Sequence, residues 1–261
     1  MVAEAGSSRL PEFCNQGGFA YRCDWGLDGL EVLAADSAVV IVVDVLRFTS
    51  AVCCGLEAGG VVLPYRWNDE TAVAYAVQNN AVLAGRREDS ALSLSPTDLL
   101  AMAAGSRLVL PSPNGSTIAF RAHELGVQHV LAGCLRNATA TAEAARRLAA
   151  GGPISIVAAG ERWGSHDGTL RAAVEDLLGA GAILAALDPS AAATEPACSP
   201  EASAARAAFV AARPRLYETL CQCASGRELL ARGWEDDIAT SAAHDVSTTA
   251  CVLNRNEFQS H

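Results

Sequence analysis

Ala38–Asp44 reads AVVIVVD, six consecutive apolar residues, five of them β-branched, closed by an aspartate. A half-buried strand alternates apolar and polar side chains, and this run has no polar face. It predicts a strand covered on both sides, as in a parallel sheet sandwiched between helices. Working outward, shorter runs of the same texture recur at Val61–Pro64, Ala81–Ala84, Arg107–Leu110, Val127–Ala132 and Ile154–Ala158. Between them lie stretches with helical spacing: Arg47–Ala58, Asp69–Gln78, Thr97–Ala104, Gly115–Leu125, Ala138–Ala150 and Thr169–Leu187. Gly59, Gly105, Gly126 and Gly151 fall where such helices should end. The alternation predicts an α/β fold: a three-layer α/β/α sandwich with a largely parallel or mixed central sheet, built as a single domain over residues 1–261.

One segment has a different texture. Asp188–Ser203 (DPSAAATEPACSPEAS) is rich in Pro, Ala and Ser and has no periodicity, so it predicts an exposed, flexible loop. Helical pieces follow at Ala204–Ala212, Leu216–Ala224 and Arg227–Ala231, and then a last apolar run, Ala250–Leu253.

Composition narrows the function. With 51% hydrophobic and 18% charged residues, the chain has material for a sizeable core and is not a disordered polymer. The net charge of −10 argues against a nucleic-acid binder, which needs a basic face, and no basic amphipathic helix marks a membrane surface. No apolar run is long enough to span a bilayer. Nine cysteines without a CxxC pair, behind an opening (MVAEAGSSRLPEF) that lacks an apolar leader, predict a reducing, cytoplasmic setting with Cys used as a small core residue. All 19 basic residues are arginine. A P-loop lysine, a Schiff base and a catalytic lysine are thereby excluded, so an anion must be met by Arg, backbone N–H groups or a metal.

In open α/β sheets, ligands bind beyond the carboxyl ends of the strands. The residues at those positions are Asp44-Val-Leu-Arg47, Arg86-Arg87-Glu88, Pro111 to Ser116, Arg136-Asn137 and Gly160-Glu161-Arg162. Asp44 reads either as a helix cap or as a metal ligand or nucleophile. Arg47 lies one turn further on, within reach of Asp44 or of a bound anion. Asn114-Gly115-Ser116 is either an ordinary turn or a helix start whose N–H groups receive an anion. Glu175 and Asp176 read equally well as surface charge. His123, His129, His166 and His244 have no metal-ligand spacing. Two hydrolase classes fail on inspection. The third position of an Asp-x-Asp motif begun at Asp44 is Leu46, where a haloacid-dehalogenase phosphatase needs Asp, and no G-x-S-x-G elbow occurs.

Taken in register, VVDVLRFTSAV (Val42–Val52), PNGS (Pro113–Ser116), GCLRNATA (Gly133–Ala140), AAGE (Ala158–Glu161) and SGRELLARGWEDDIATSAAHDVS (Ser225–Ser247) resemble the magnesium-dependent 2-phosphosulfolactate phosphatase family. The resemblance implies a Mg²⁺-assisted hydrolase that takes a small anionic phosphorylated substrate, without nucleic-acid or membrane partners. For the named substrate the products are 3-sulfolactate and phosphate. A homo-oligomer is allowed but not specified. Carried over by position, Asp44, Arg47, Asn114, Gly115, Asn137, Glu161 and Asp176 form the site. Ser116 replaces the usual threonine, Pro111-Ser112-Pro113 stiffens the preceding loop, and Arg162 stands where glycine is usual.

On this reading Asp44, Glu161 and Asp176 hold Mg²⁺, which prefers oxygen ligands. Arg47 grips phosphoryl oxygens, and the N–H groups at Asn114–Ser116 and Asn137 cradle the rest. Arg86, Arg136 and Arg162 are candidates for the carboxylate or sulfonate. Asp44, Arg47 and Glu161 are the expected catalytic residues, whether water attacks phosphorus or Asp44 does. The competing expectation is a non-catalytic protein that binds an anionic metabolite on the same scaffold.

Overall fold

The run read first is a strand whose five residues are all fully buried. The structure is a computed structural model that describes residues 12–66, 69–164, 168–189 and 197–261. In chain order the strands are β1 (Tyr21–Trp25), β2 (Val39–Val43), β3 (Val61–Tyr65), β4 (Val82–Leu83), β5 (Arg107–Pro111), β6 (His129–Gly133), β7 (Ile154–Ala158), β8 (Glu161–Arg162), β9 (Leu170–Arg171), β10 (Cys251–Asn254) and β11 (Glu257–Ser260). The α-helices are α1 (Gly26–Leu33), α2 (Phe48–Glu57), α3 (Glu70–Gln78), α4 (Pro96–Leu100), α5 (Gly115–Glu124), α6 (Ala138–Ala149), α7 (Val174–Leu187), α8 (Pro200–Ala212), α9 (Leu216–Gln222), α10 (Ala224–Ala231) and α11 (Glu235–Ala242).

Nine strands form one sheet in the order β1-β7-β2-β6-β10-β11-β3-β5-β4. Both outer blocks are parallel within themselves. Between them sits the β10–β11 hairpin, antiparallel to each neighbour. Following these reversals, β3, β5 and β4 run opposite to β1, β7, β2 and β6. In a flat sheet the carboxyl ends of β2 and β5 would therefore lie at opposite edges. Twist of roughly 20–25° per strand accumulates across the hairpin, and α5 packs against β2, β3 and β6 together. The turn after β5 nonetheless meets the turn after β2, where Gly115 N–H donates to Asp44.

Helices cover both faces, giving the expected three layers. On β2, Val39, Ile41 and Val43 pack toward α6, α7 and α8, while Val40 and Val42 pack toward α1, α2 and α5. Burying each such side chain contributes about 1.5–3 kcal/mol, which fixes the strand register on both sides at once. The four glycines named as helix ends all adopt positive φ. All nine cysteines are free thiols and seven are buried. Among the described residues no helix is long and apolar enough to cross a membrane.

Three expectations change. Strand β1 and helix α1 were not visible in the pattern, because Arg22 and Asp24 interrupt the apolar run. Arg22 is nonetheless only 1% exposed, held by Asp36 at 2.8 Å and by Ser37 Oγ at 3.1 Å. Helix α7 starts at Val174 rather than Thr169, since Leu170 and Arg171 pair with β8. The expected loop at 188–203 is ordered in its second part. Tyr21 N–H donates to Ala197 O and Ser199 N–H to Tyr21 O, both at 2.9 Å, and the Ser199 hydroxyl caps α8. Residues 190–196 of that segment, and His166, lie outside the described residues.

Candidate active site

Strand β2 delivers Asp44 to its carboxyl edge, where the side chain is 6% exposed. Each carboxylate oxygen accepts one backbone N–H: Oδ1 from Phe48 at 3.2 Å, Oδ2 from Gly115 at 2.9 Å. The turn that carries Asp44 is tied by a hydroxyl exchange. Asp44 N–H donates to Thr49 Oγ1 at 3.0 Å, and that hydroxyl donates to Asp44 O at 2.8 Å. Gly115 must be glycine here. A Cβ would lie 2.5 Å from the Phe48 ring and 2.7 Å from Asp44 Oδ2. The close backbone approach expected at this turn is thus real, but its N–H holds Asp44 rather than a substrate.

Glu161 opens β8, immediately after β7, and its Oε2 accepts from the Asn114 amide at 3.0 Å. Asp44, Asn114 and Glu161 line one cleft of about 660 Å³. Arg47, Arg162, Arg171 and Arg232 also border it, beside Trp234. Burial pushes Asp44 up to about 7, and the facing Glu161 charge adds to this. Glu161 is raised as well, chiefly by burial, against the pull of Asn114 and Arg171. Desolvation and like charge thus both disfavour ionising the pair. No guanidinium meets either oxygen of Asp44 among the described residues.

Asp176 lies behind Asp44, 3% exposed. Its two oxygens accept Val45 N–H at 2.7 Å and Gly160 N–H at 2.9 Å, so it joins the turns after β2 and β7. Burial first, then the charges of Asp44 and Glu175, raise its pKa well above the usual carboxylate range. It does not line the cleft, so the expected third metal carboxylate is a support behind the site.

The remaining expected residues divide sharply. Arg47 reaches the cleft with Nη1 at 2.6 Å from Asp237 Oδ2 and its guanidinium 4.7 Å from the Trp234 ring centre. Arg162 lines the cleft and donates to Gly168 O at 3.1 Å. Ser116 is fully buried and turned inward, donating to Tyr65 O at 2.6 Å and contacting Ser112 O. Asn137 is also fully buried. Its Oδ1 accepts Cys134 N–H at 2.9 Å, and its amide donates to Thr249 O at 3.0 Å. Arg136 pairs with Glu57 at 2.9 Å and donates to Thr240 O at 3.0 Å. Ser116, Asn137 and Arg136 therefore build turns and do not border the cleft. Arg86 pairs with Asp89 at 2.7 Å on the exposed rim.

Sequence reasoning missed Arg171, Arg232, Trp234 and Asp237, and placed Arg87 at a strand end without giving it a role. Asp237 is fully buried and binds Arg47, Arg87 at 3.1 Å and Ser95 Oγ at 2.5 Å. Its run, Glu235-Asp236-Asp237, looks like the ordinary acidic first turn of a helix. The one available signal was the Trp-Glu-Asp-Asp stretch inside the tail that carried the family resemblance.

The carboxylate pair fits a hard divalent cation. Buried Asp44 and half-buried Glu161 present oxygen donors to one cleft, the ligand type such a cation prefers. Among the described residues no three His, Cys, Asp or Glu side chains are arranged as an ion cage.

The chain is 35% identical over 152 residues to a probable 2-phosphosulfolactate phosphatase of Thermus thermophilus, covering 56% of this chain and 60% of that protein. It is 33% identical over 156 residues to a 2-phosphosulfolactate phosphatase of Methanothermobacter thermautotrophicus, covering 58% of this chain and 62% of that one. Each match spans about three-fifths of the relative. The family model described as 2-phosphosulpholactate phosphatase matches residues 30–256, a stretch that includes Asp44, Arg47, Gly115, Glu161 and Asp237. The chain belongs to the 2-phosphosulpholactate phosphatase family.

Proposed function

We propose that this chain is a magnesium-dependent phosphoric monoester hydrolase that converts 2-phospho-3-sulfolactate to 3-sulfolactate and inorganic phosphate. The observation that carries the reading is the Asp44–Glu161 pair on the floor of a cleft whose walls carry arginine. A protein that only binds an anion has no use for two carboxylates, one of them buried, where the anion must sit. Family membership and the names of the two relatives support the substrate class.

Magnesium bound by Asp44 and Glu161 would supply a Lewis acid for the phosphoryl oxygens. Arg47 has one nitrogen fixed by Asp237, which leaves its other N–H groups to grip phosphoryl oxygens in a set direction. Asn114 fixes Glu161 through its amide. Gly115 and Phe48 hold both oxygens of Asp44, so this carboxylate needs no reorganisation as charge develops. Asp44 is also placed to take a proton from an attacking water. The same position serves direct attack by Asp44 on phosphorus, which would pass through an aspartyl-phosphate. Rapid quench separates the two: a burst of 3-sulfolactate ahead of phosphate marks the covalent route, and simultaneous release marks water attack.

The test is phosphate release from a panel of acidic phosphomonoesters, with Mg²⁺ and with EDTA. Turnover is expected on the sulfonated ester, lost in EDTA and lowered about 10²–10³-fold in Arg47→Ala. Folded protein that releases phosphate from none of the esters would overturn the proposal.

A further inference from the structure

Beside the carboxylate floor, the molecule concentrates positive charge at one corner. Three guanidinium groups lie over the Trp234 ring, with Arg47 at 4.7 Å, Arg232 at 5.1 Å and Arg87 at 5.7 Å from its centre. A second hollow of about 510 Å³ opens there, bordered by Arg86, Arg87 and Glu88. It shares Arg47, Leu94, Arg232 and Trp234 with the cleft at Asp44. Arg47 therefore stands at the boundary between the two.

The corner is organised in advance. Buried Asp237 binds Nη1 of both Arg47 and Arg87, and Ser95 Oγ fixes its other oxygen. One carboxylate thus orients two guanidiniums by one nitrogen each. Asp98 stands further off, 3.7 Å from Arg87, and Arg232 pairs with the exposed Glu228. What remains is a set of N–H donors approaching one hollow from several directions. A planar carboxylate is best met by a single two-pronged fork. A sulfonate has three oxygens pointing in three directions and suits several guanidiniums on an aromatic platform.

We propose that Arg87, ordered by Asp237, and Arg232, both stacked on Trp234, form a second anion site that takes the sulfonate of the substrate, while Arg47 takes its phosphoryl group. This rests on the phosphatase reading above, and its test separates the two. Arg232 is the residue to remove first, because its side chain is half exposed and its ion pair is with a surface carboxylate. In Arg232→Ala, KM for 2-phospho-3-sulfolactate should rise about tenfold or more, with kcat little changed. KM for 2-phospholactate, which lacks the sulfonate, should stay within about threefold. Arg232→Lys should recover part of the loss, and Arg87→Lys, which keeps the charge beside Asp237, should show the same preference for harming the sulfonated ester. Equal loss on both esters, or loss on neither, overturns the site.

A calorimetric titration with 3-sulfolactate and with lactate gives a readout independent of turnover. Wild type should bind 3-sulfolactate about tenfold more tightly than Arg232→Ala does, a difference lactate should not show. If wild type hydrolyses neither ester, the phosphatase reading falls and this titration alone decides the site. No binding of 3-sulfolactate, or equal binding by both proteins, overturns it.

Discussion

Asp44 and Asp237 are two buried carboxylates, one lining the cleft and the other behind Arg47 at its border, and their surroundings are opposite. Asp237 is met by two guanidiniums and a hydroxyl. Asp44 is met by two backbone N–H groups and by the charge of another acid, Glu161. A buried charge is costly unless paired. Asp237 satisfies that rule and acts as a structural hub, fixing the arginines that border the cleft. Asp44 violates it, and such violations cluster where a ligand supplies the missing partner. Removing the charge should therefore injure stability at one site and chemistry at the other.

The largest effect is expected at the unsatisfied site. Asp44→Asn keeps the shape and removes the charge, and should lower kcat/KM for 2-phospho-3-sulfolactate on the order of 10³-fold. Its thermal midpoint at pH 8 should not fall. An active Asp44→Asn enzyme would remove Asp44 from the mechanism. A variant that unfolds instead would make Asp44 a structural residue like Asp237.

The converse holds at the satisfied site. Asp237→Ala leaves two guanidiniums facing each other in a dry corner, and breaking a buried pair typically costs about 3–5 kcal/mol. At about 2–4 °C per kcal/mol for a chain of this size, the thermal midpoint should drop by roughly 10 °C. A midpoint within a degree or two of wild type would show that the Asp237 cluster contributes little to the fold.

The pH dependence of stability sharpens the same contrast. Asp44 rises from an ordinary 3.8 to about 7 in the folded protein, so between those values the folded state binds more protons than the unfolded one. Its contribution to stability is therefore lost as pH rises through that window. Glu161 and Asp176 are shifted in the same direction. The metal-free protein should lose about 2–3 kcal/mol between pH 5 and pH 8 relative to Asp44→Asn, roughly 5–10 °C in thermal midpoint. Added Mg²⁺ should recover more at pH 8 than at pH 5, because it binds the ionised form. Parallel pH curves for the two proteins would mean that Asp44 is ionised throughout.

The difference between the two sites also explains what the sequence discloses. Asp44, Asn114, Gly115 and Glu161 were legible because each follows a strand of the sheet, and strand ends are where such folds place ligands. Asp237, Trp234 and Arg232 follow no strand. They sit in and beside short helices near the end of the chain, where acidic and basic residues look like ordinary solvated faces. Asn137 and Arg136 obey the strand-end rule and still do not border the cleft, because Thr249, Thr240 and Glu57 occupy their polar groups. In the fold, the apolar runs located seven of the nine strands of the main sheet. They did not reveal β1, where Arg22 is buried by an ion pair. They also gave no direction to the final apolar run, whose hairpin reverses one block of the sheet against the other. Local pattern records burial; long-range pairing decides orientation.

The smallest expected effect tests how Asp237 is held. Ser95 caps α4 by accepting Asp98 N–H at 3.2 Å and donates to Asp237 Oδ1 at 2.5 Å. Ser95→Ala removes a cap and one hydrogen bond to a charged group, a loss of about 1–3 kcal/mol. Arg47 and Arg87 still meet Oδ2, so the hub should persist, and kcat/KM should stay within about threefold of wild type. If Ser95→Ala instead destabilises as much as Asp237→Ala, the hydroxyl and not the guanidinium pair is what anchors the carboxylate. If it leaves stability intact but lowers kcat/KM as Arg47→Ala does, the Ser95 contact acts by aiming Arg47 at the phosphoryl group. The two results are separable because one is read in the melting curve and the other in turnover.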